Sequence, residues 1–284
     1  LMLAPPPPKA NEYIIYPWLQ PGRLLLLVGP TEGGKTTVTL DMLAAAIRGD
    51  FLWSRYPTKR INRVLYLHAE HSLSTIQEIA QLRGDIPVDR ISIIHEFGTF
   101  GTALIEGTRP NITLLREISA VCTKLNPDLI IAEPISAFLA TSENDNKEAR
   151  QLIQILTGLG AKHNAGVFTH HHVGKSFFDP TRIRPKGLAI GEARGAMAFE
   201  DAAERVIYLR PHKNNIRGHL TVETVKPKGY PVAPFEIARD IESLVYHPLN
   251  PLSYTADVVG VLAARLNHPE WSLEQLADFL QSRW

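Results

Sequence analysis

Gly29-Pro30-Thr31-Glu32-Gly33-Gly34-Lys35-Thr36 directly follows the apolar run Leu-Leu-Leu-Leu-Val at 24–28. That run predicts a buried strand, and Leu40, Leu43, Ala44 and Ile47 recur at helical spacing behind the loop, with Gly49 as a stop. Strand, G-x-x-x-x-G-K-T and helix in this order form the setting in which such a loop holds phosphate. Glycines let backbone N–H groups curl around the anion while the helix presents its positive end to it. Lys35 is then placed to reach the β- and γ-phosphates and Thr36 to ligate Mg²⁺, within a cradle of Gly29, Thr31, Gly33, Gly34 and Thr37.

The chain has 284 residues, 44% of them hydrophobic, enough to bury a large core. Its net charge of +1 creates no strong field over the whole surface, so any contact with nucleic acid has to come from a local basic patch. The single cysteine, Cys122, falls in an apolar helical pattern with Leu115, Ile118 and Leu125, where it reads as a small buried hydrophobe. One cysteine excludes an internal disulfide framework. No apolar run approaches the ~18 residues of a membrane span, and residues 1–8 lack the charged and apolar regions of a secretion signal, so a cytoplasmic location is expected.

Outward from the loop, residues 1–12 contain the run Pro5 to Pro8 and read as an extended linker or partner-docking arm. The aromatic segment 13–18 is expected to pack near a nucleotide base or to form a covering strand. Strands are predicted at 63–67, 91–94, 128–132 and 167–172, separated by helices from Ser72, around 113–124, and from an Asp145 or Asn146 cap to about 163. Apolar strands alternating with helices imply an α/β fold, a mostly parallel sheet covered on both faces, with ligands outside the strands' carboxyl ends. The short-turned strands at 205–210, 219–225 and 235–237 read as antiparallel additions to one edge. Residues 13–250 thus form one core domain. Beyond it, 251–284 carries two short amphipathic helices, read either as a truncated helix-turn-helix module or as a helical cap.

Three groups stand at strand ends. Glu133 closes the apolar strand Asp-Leu-Ile-Ile-Ala, the place for a carboxylate that holds Mg²⁺ through water. Glu70 follows the 63–67 strand, as a general base for the attacking water or as a helix-capping acid beside Ser72. His171 or His172 is placed to sense the γ-phosphate, or to face solvent. The histidines 68, 71 and 170–172 also invite a zinc reading, but they lack cysteine partners and the Mg²⁺ acids account for the same location.

The long segment 174–191 carries Lys175, Arg182, Arg184 and Lys186 with Phe177 and Phe178 among them, cations for phosphates and rings for bases, as single-stranded DNA requires. A solvated charge run is the plainer reading of the cations. Arg194, Lys226 and Lys228 have no carboxylate beside them in sequence; in an oligomer they are candidates to act on a neighbour's γ-phosphate, or else are ordinary surface charges.

With Gly-Pro-Thr-Glu-Gly-Gly-Lys-Thr-Thr at 29–37, Val-Leu-Tyr-Leu-His-Ala-Glu-His-Ser at 64–72, Leu-Ile-Ile-Ala-Glu-Pro at 129–134, Val-Phe-Thr-His-His-His-Val-Gly-Lys at 167–175 and Arg-Gly-Ala-Met-Ala-Phe-Glu at 194–200, the chain resembles RecA-fold hexameric replicative helicases of the plasmid RepA type over roughly 13–240. The resemblance implies a RecA-like P-loop core, ATP and Mg²⁺ at Lys35 and Thr36, Glu70 as catalytic acid and Glu133 at the Walker B position. It further implies His172 as a sensor near DNA, Arg194 as a finger acting in the adjacent subunit, and a six-membered ring moving on single-stranded DNA in replication. Glu133 in place of Asp, and a third histidine at His170, depart from that pattern. Two alternatives share the same core: a filament-forming recombination or repair ATPase, and a nucleotide-dependent DNA-binding adaptor with little turnover.

Overall fold

The computed structural model describes residues 12–68, 73–94, 103–106, 109–140, 145–173, 198–211, 218–225 and 232–249. In chain order the first half comprises β1 (Leu24–Gly29), α1 (Lys35–Arg48), β2 (Phe51–Leu52), β3 (Tyr56–Pro57), β4 (Val64–His68), α2 (Leu73–Arg83) and β5 (Ile91–Ile94). Next come β6 (Ile105–Glu106), β7 (Arg109–Pro110), α3 (Ile112–Leu125), β8 (Leu129–Glu133), α4 (Asn146–His163) and β9 (Gly166–His172). The described part closes with α5 (Ala198–Ala202), β10 (Arg205–Pro211), β11 (His219–Thr224), β12 (Phe235–Arg239) and β13 (Tyr246–Pro248).

Nine of these strands form one mixed sheet in the order β13-β12-β11-β10-β1-β9-β8-β4-β5. The six strands from β10 to β5 run parallel, and β11, β12 and β13 continue the β10 edge antiparallel. Every residue of β1, β4 and β8 is buried, because helices cover both faces of the parallel part. One face, with Leu25, Leu27, Tyr66, Ile131 and Phe168, packs on α1 and α2; the other, with Leu26, Leu67, Ile130 and Val167, packs on α3, α4 and α5.

Local chemistry sets the element ends. Asp145 accepts from the backbone N–H groups of Lys147 and Glu148 at 2.7 and 3.2 Å, so it, and not Asn146, caps α4. Gly49 ends α1 in the left-handed region at φ 73° and donates to the carbonyls of Ala45 and Ala46. Cys122 is buried on α3, and burial pushes its thiol up to about 11, which makes it inert at neutral pH.

The aromatic segment at 13–18 is neither a strand nor a wall for a base. It makes only isolated bridges, Ile15 with Leu19 and Thr58, and it lies in the core beneath the α1 face. Trp18 has its ring centroid 4.3 Å from that of Tyr56 and 6.4 Å from that of Phe235, and its Nε1 donates to Thr224 Oγ1 at 2.9 Å. α1 is apolar almost all round, so it has to be covered away from the sheet too; this segment and the β2–β3 hairpin cover it. Among the described residues, no helix is long and apolar enough to cross a membrane.

Candidate nucleotide site at the strand ends

The loop between β1 and α1 is bent in a way that only its own residues permit. Glu32 sits at φ 57° and Gly34 at φ 79°. A Cβ on Gly33 would lie 2.5 Å from the Pro30 ring, and one on Gly34 would lie 2.3 Å from the Tyr246 hydroxyl. The two glycines therefore answer to sterics on both sides of the turn. The first turn of α1 carries no acidic residue, so its positive end is not neutralised from within the helix. The Lys35 ammonium folds back on the loop, donating to the Pro30 carbonyl at 2.7 Å and the Gly29 carbonyl at 3.2 Å. These are contacts that phosphate oxygens can take over, since a carbonyl is a weaker partner for an ammonium than an anion is.

β9 brings the histidines to this loop through its pairing with β1, which sets His170 beside Leu27, His171 beside Val28 and His172 beside Gly29. Side chains alternate along a strand, so His170 and His172 share the α1 face with Phe168, whereas His171 points to the other face. His172 Nδ1 stands 3.2 Å from Lys35 Nζ and 3.3 Å from Thr31 Oγ1. His171 is buried with its ring 4.8 Å from Phe199 of α5. Of the two expected sensors, His172 touches the phosphate loop; His171 is turned away from it by the two-residue period of the strand.

Glu133 ends β8 on the same face as α1. Its register partner is His68 on β4, and the ladder to β9, which pairs Ala132 with Thr169, brings His170 alongside. The carboxylate is fully buried. The Tyr66 hydroxyl donates to its Oε1, His68 Nδ1 lies 3.5 Å from the same oxygen, and His170 Nε2 lies 2.8 Å from Oε2. That last contact is close but off the hydrogen-bonding angle, so among the described residues Oε2 has no hydrogen bond. β9 stands between β8 and β1, so Glu133 and the phosphate loop belong to strands roughly 10 Å apart.

The donor set suits a Mg-nucleotide. Thr36 carries its hydroxyl in the first turn of α1, and Oε2 of Glu133, with no hydrogen bond among the described residues, could accept from a metal-bound water, the usual way Mg²⁺ is held. Among the described residues, no group of three or more His, Cys, Asp and Glu side chains is arranged to hold a metal ion by itself. Glu70, Arg194, Lys226 and Lys228 lie outside the described residues, as do Lys175, Phe177, Phe178, Arg182, Arg184 and Lys186, the proline-rich arm and the helical tail.

Sequence reasoning missed Tyr66 altogether. Its only signal was alternation along β4, which sets it on the same face as His68, two residues away. It also missed Asp41, a buried acid on α1 that accepts from Arg83 at 2.6 Å, Trp53 at 3.0 Å and the Tyr246 backbone at 3.2 Å.

A parallel sheet with a phosphate loop after its central strand and an acid at the end of a strand two places away defines a RecA-like P-loop ATPase. The chain belongs to the AAA domain family, which matches residues 2–176. A KaiC-like protein from the hyperthermophilic archaeon Pyrococcus horikoshii OT3 shares the fold, with a TM-score of 0.57 at 15% identity over 86% of this chain and 99% of that one. A search of the curated proteins finds no match.

Proposed function

We propose that this ATPase is a motor on single-stranded DNA, a helicase or translocase working in replication as a homo-oligomeric ring, with six subunits as the expected number. The observation that carries the reading is the contact between His172 and Lys35 at 3.2 Å. It joins the phosphate loop to β9, and the basic, phenylalanine-bearing segment 174–191 continues directly from that strand.

In this reading Lys35 exchanges the Pro30 and Gly29 carbonyls for the β- and γ-phosphates, and His172 loses Lys35 as one of its partners as it does so. Loss of that partner is a local signal of nucleotide occupancy, and β9 passes it to the DNA-binding residues Lys175, Phe177, Phe178, Arg182, Arg184 and Lys186. Mg²⁺, held by Thr36 and by Glu133 through water, would neutralise charge on the transferring phosphoryl group. Glu70 orients and deprotonates the attacking water, and Arg194, Lys226 and Lys228 are the cations offered to a neighbouring subunit's nucleotide. The proline-rich arm is left as a docking segment for a partner protein.

The test is unwinding of a forked DNA duplex. Strand separation should require ATP, and His172→Ala should uncouple it by keeping ATP binding while losing stimulation of hydrolysis by single strands. ATP turnover that DNA neither stimulates nor inhibits, with no DNA binding, would sink the motor and leave an ATPase of another use.

One observation favours a second reading, a nucleotide-dependent adaptor with slow turnover: the Glu133 carboxylate is fully buried and already holds a protein donor. Phosphate release at saturating ATP separates the two, since a motor turns over at about 1 per second or faster and an adaptor far more slowly.

A further inference from the structure

The Walker B acid differs from the expected residue by one methylene, and the structure shows where the extra length goes. Glu133 and His68 are register partners, so Tyr66 lies two residues back along β4, toward the middle of the sheet. A side chain pointing out at the strand end would turn its carboxylate toward the phosphate loop. That of Glu133 instead meets the Tyr66 hydroxyl, which donates to Oε1. On the opposite side His170 Nε2 closes on Oε2 at 2.8 Å without an angle that makes a hydrogen bond. One oxygen is therefore committed to a donor from the neighbouring strand, and the other has His170 beside it and, among the described residues, no hydrogen bond.

We propose that Tyr66 is a latch on the Walker B acid: its hydroxyl holds Glu133 retracted, and binding of the metal–nucleotide draws the carboxylate off Tyr66 toward the Mg²⁺-bound water. Tyr66 is thus a positioning residue that acts through Glu133, and His170 is the wall that keeps the retracted acid in place. The latch rests on the ATPase reading of the site. It explains how a glutamate serves at this point: the reach that would misplace an always-extended acid becomes the travel between a held and a released position. Its energy scale is that of one net hydrogen bond, small enough for Mg²⁺ to overcome.

The experiment is a double-mutant cycle of Tyr66→Phe and Glu133→Asp with two readouts. The first is thermal unfolding without nucleotide. If the hydroxyl holds the acid, the double variant loses less Tm than the sum of the two single-variant losses. The second is the Mg²⁺ concentration that half-saturates binding of a fluorescent ATP analogue. Tyr66→Phe should lower it about fivefold, the factor of one ordinary net hydrogen bond, and should have no effect on top of Glu133→Asp. Additive Tm losses, or an unchanged Mg²⁺ midpoint in Tyr66→Phe, would overturn the latch. If the variants show the coupled Tm losses but the wild-type chain binds no nucleotide at any Mg²⁺ concentration, it is the ATPase reading that has failed, and the latch's function with it.

Discussion

Two buried carboxylates on the α1 side of the sheet are treated in opposite ways. Asp41, in the middle of α1, is met by a full guanidinium from Arg83 at 2.6 Å, by the Trp53 indole N–H at 3.0 Å and by the Tyr246 backbone N–H at 3.2 Å. Asp85 in turn accepts from Arg83 at 3.0 and 3.1 Å, so the cluster ties α1, the β2–β3 turn, the end of α2 and β13 into one knot. Glu133, at the end of β8, has the Tyr66 hydroxyl on one oxygen, two imidazoles beside it, and a second oxygen with no hydrogen bond among the described residues. The first acid is saturated and can only hold elements together. The second keeps unused acceptor capacity, and an incompletely satisfied buried acid next to a phosphate loop is a group waiting for a ligand.

If that contrast is right, the largest effect comes from stripping the knot. Arg83→Ala strands a buried carboxylate and should cost about 3–5 kcal/mol in urea unfolding. Glu133→Gln, which keeps an oxygen for Tyr66, should stay within about 1 kcal/mol of wild type while losing ATP turnover. Equal losses from the two would erase the distinction.

pH sharpens it next. Burial outweighs the attraction of Arg83 and the hydrogen bonds, and raises the Asp41 pKa to about 6 from an ordinary 3.8. The folded state thus takes up the Asp41 proton at higher pH than the unfolded chain does. The resulting stability is complete below about 4 and is lost as pH rises through about 6. Denaturant midpoints of wild type measured against Asp41→Asn should show the wild type losing ground by roughly 3 kcal/mol from pH 4 to pH 7, two units at about 1.4 kcal/mol each. A pH-independent difference between the two proteins would mean that Asp41 is not desolvated.

On the site side, Lys35→Ala should lower ATP affinity or turnover by about 100-fold in a phosphate-release assay while barely moving the unfolding midpoint. A large stability loss there would show the ammonium to be a structural prop for the Gly29 and Pro30 carbonyls. The smallest effect is at the seam between the two regions. Gly34→Ala strains a left-handed residue by about 1–2 kcal/mol and also pushes on the Tyr246 hydroxyl. Tyr246→Phe in the same chain should recover the steric part of the Tm loss and leave the backbone part.

The phosphate loop, the apolar strands and a helix cap at Asp145 or Asn146 were legible in the residues because each is a local pattern: a glycine spacing, a run of apolar residues, an oxygen at a helix start. From these the α/β class and the ends of β1, β4, β5, β8 and β9 follow to within a residue. Strand order is not local. That β9 lies between β1 and β8 is decided by a pairing of strands more than a hundred residues apart in the chain, and it alone sets His170 against Glu133 and His172 against Lys35. The face each histidine takes was equally hidden, because β9 is apolar on both sides at Val167 and Phe168 and its pattern names no inner face. Asp41, Arg83 and Tyr246 meet from positions as much as 205 residues apart, so their pairing leaves no trace in any window of the chain. Short-range pattern dictated the parts and the phosphate chemistry; the packing of the sheet chose which acid is sealed into a knot and which one keeps an oxygen without a hydrogen bond among the described residues.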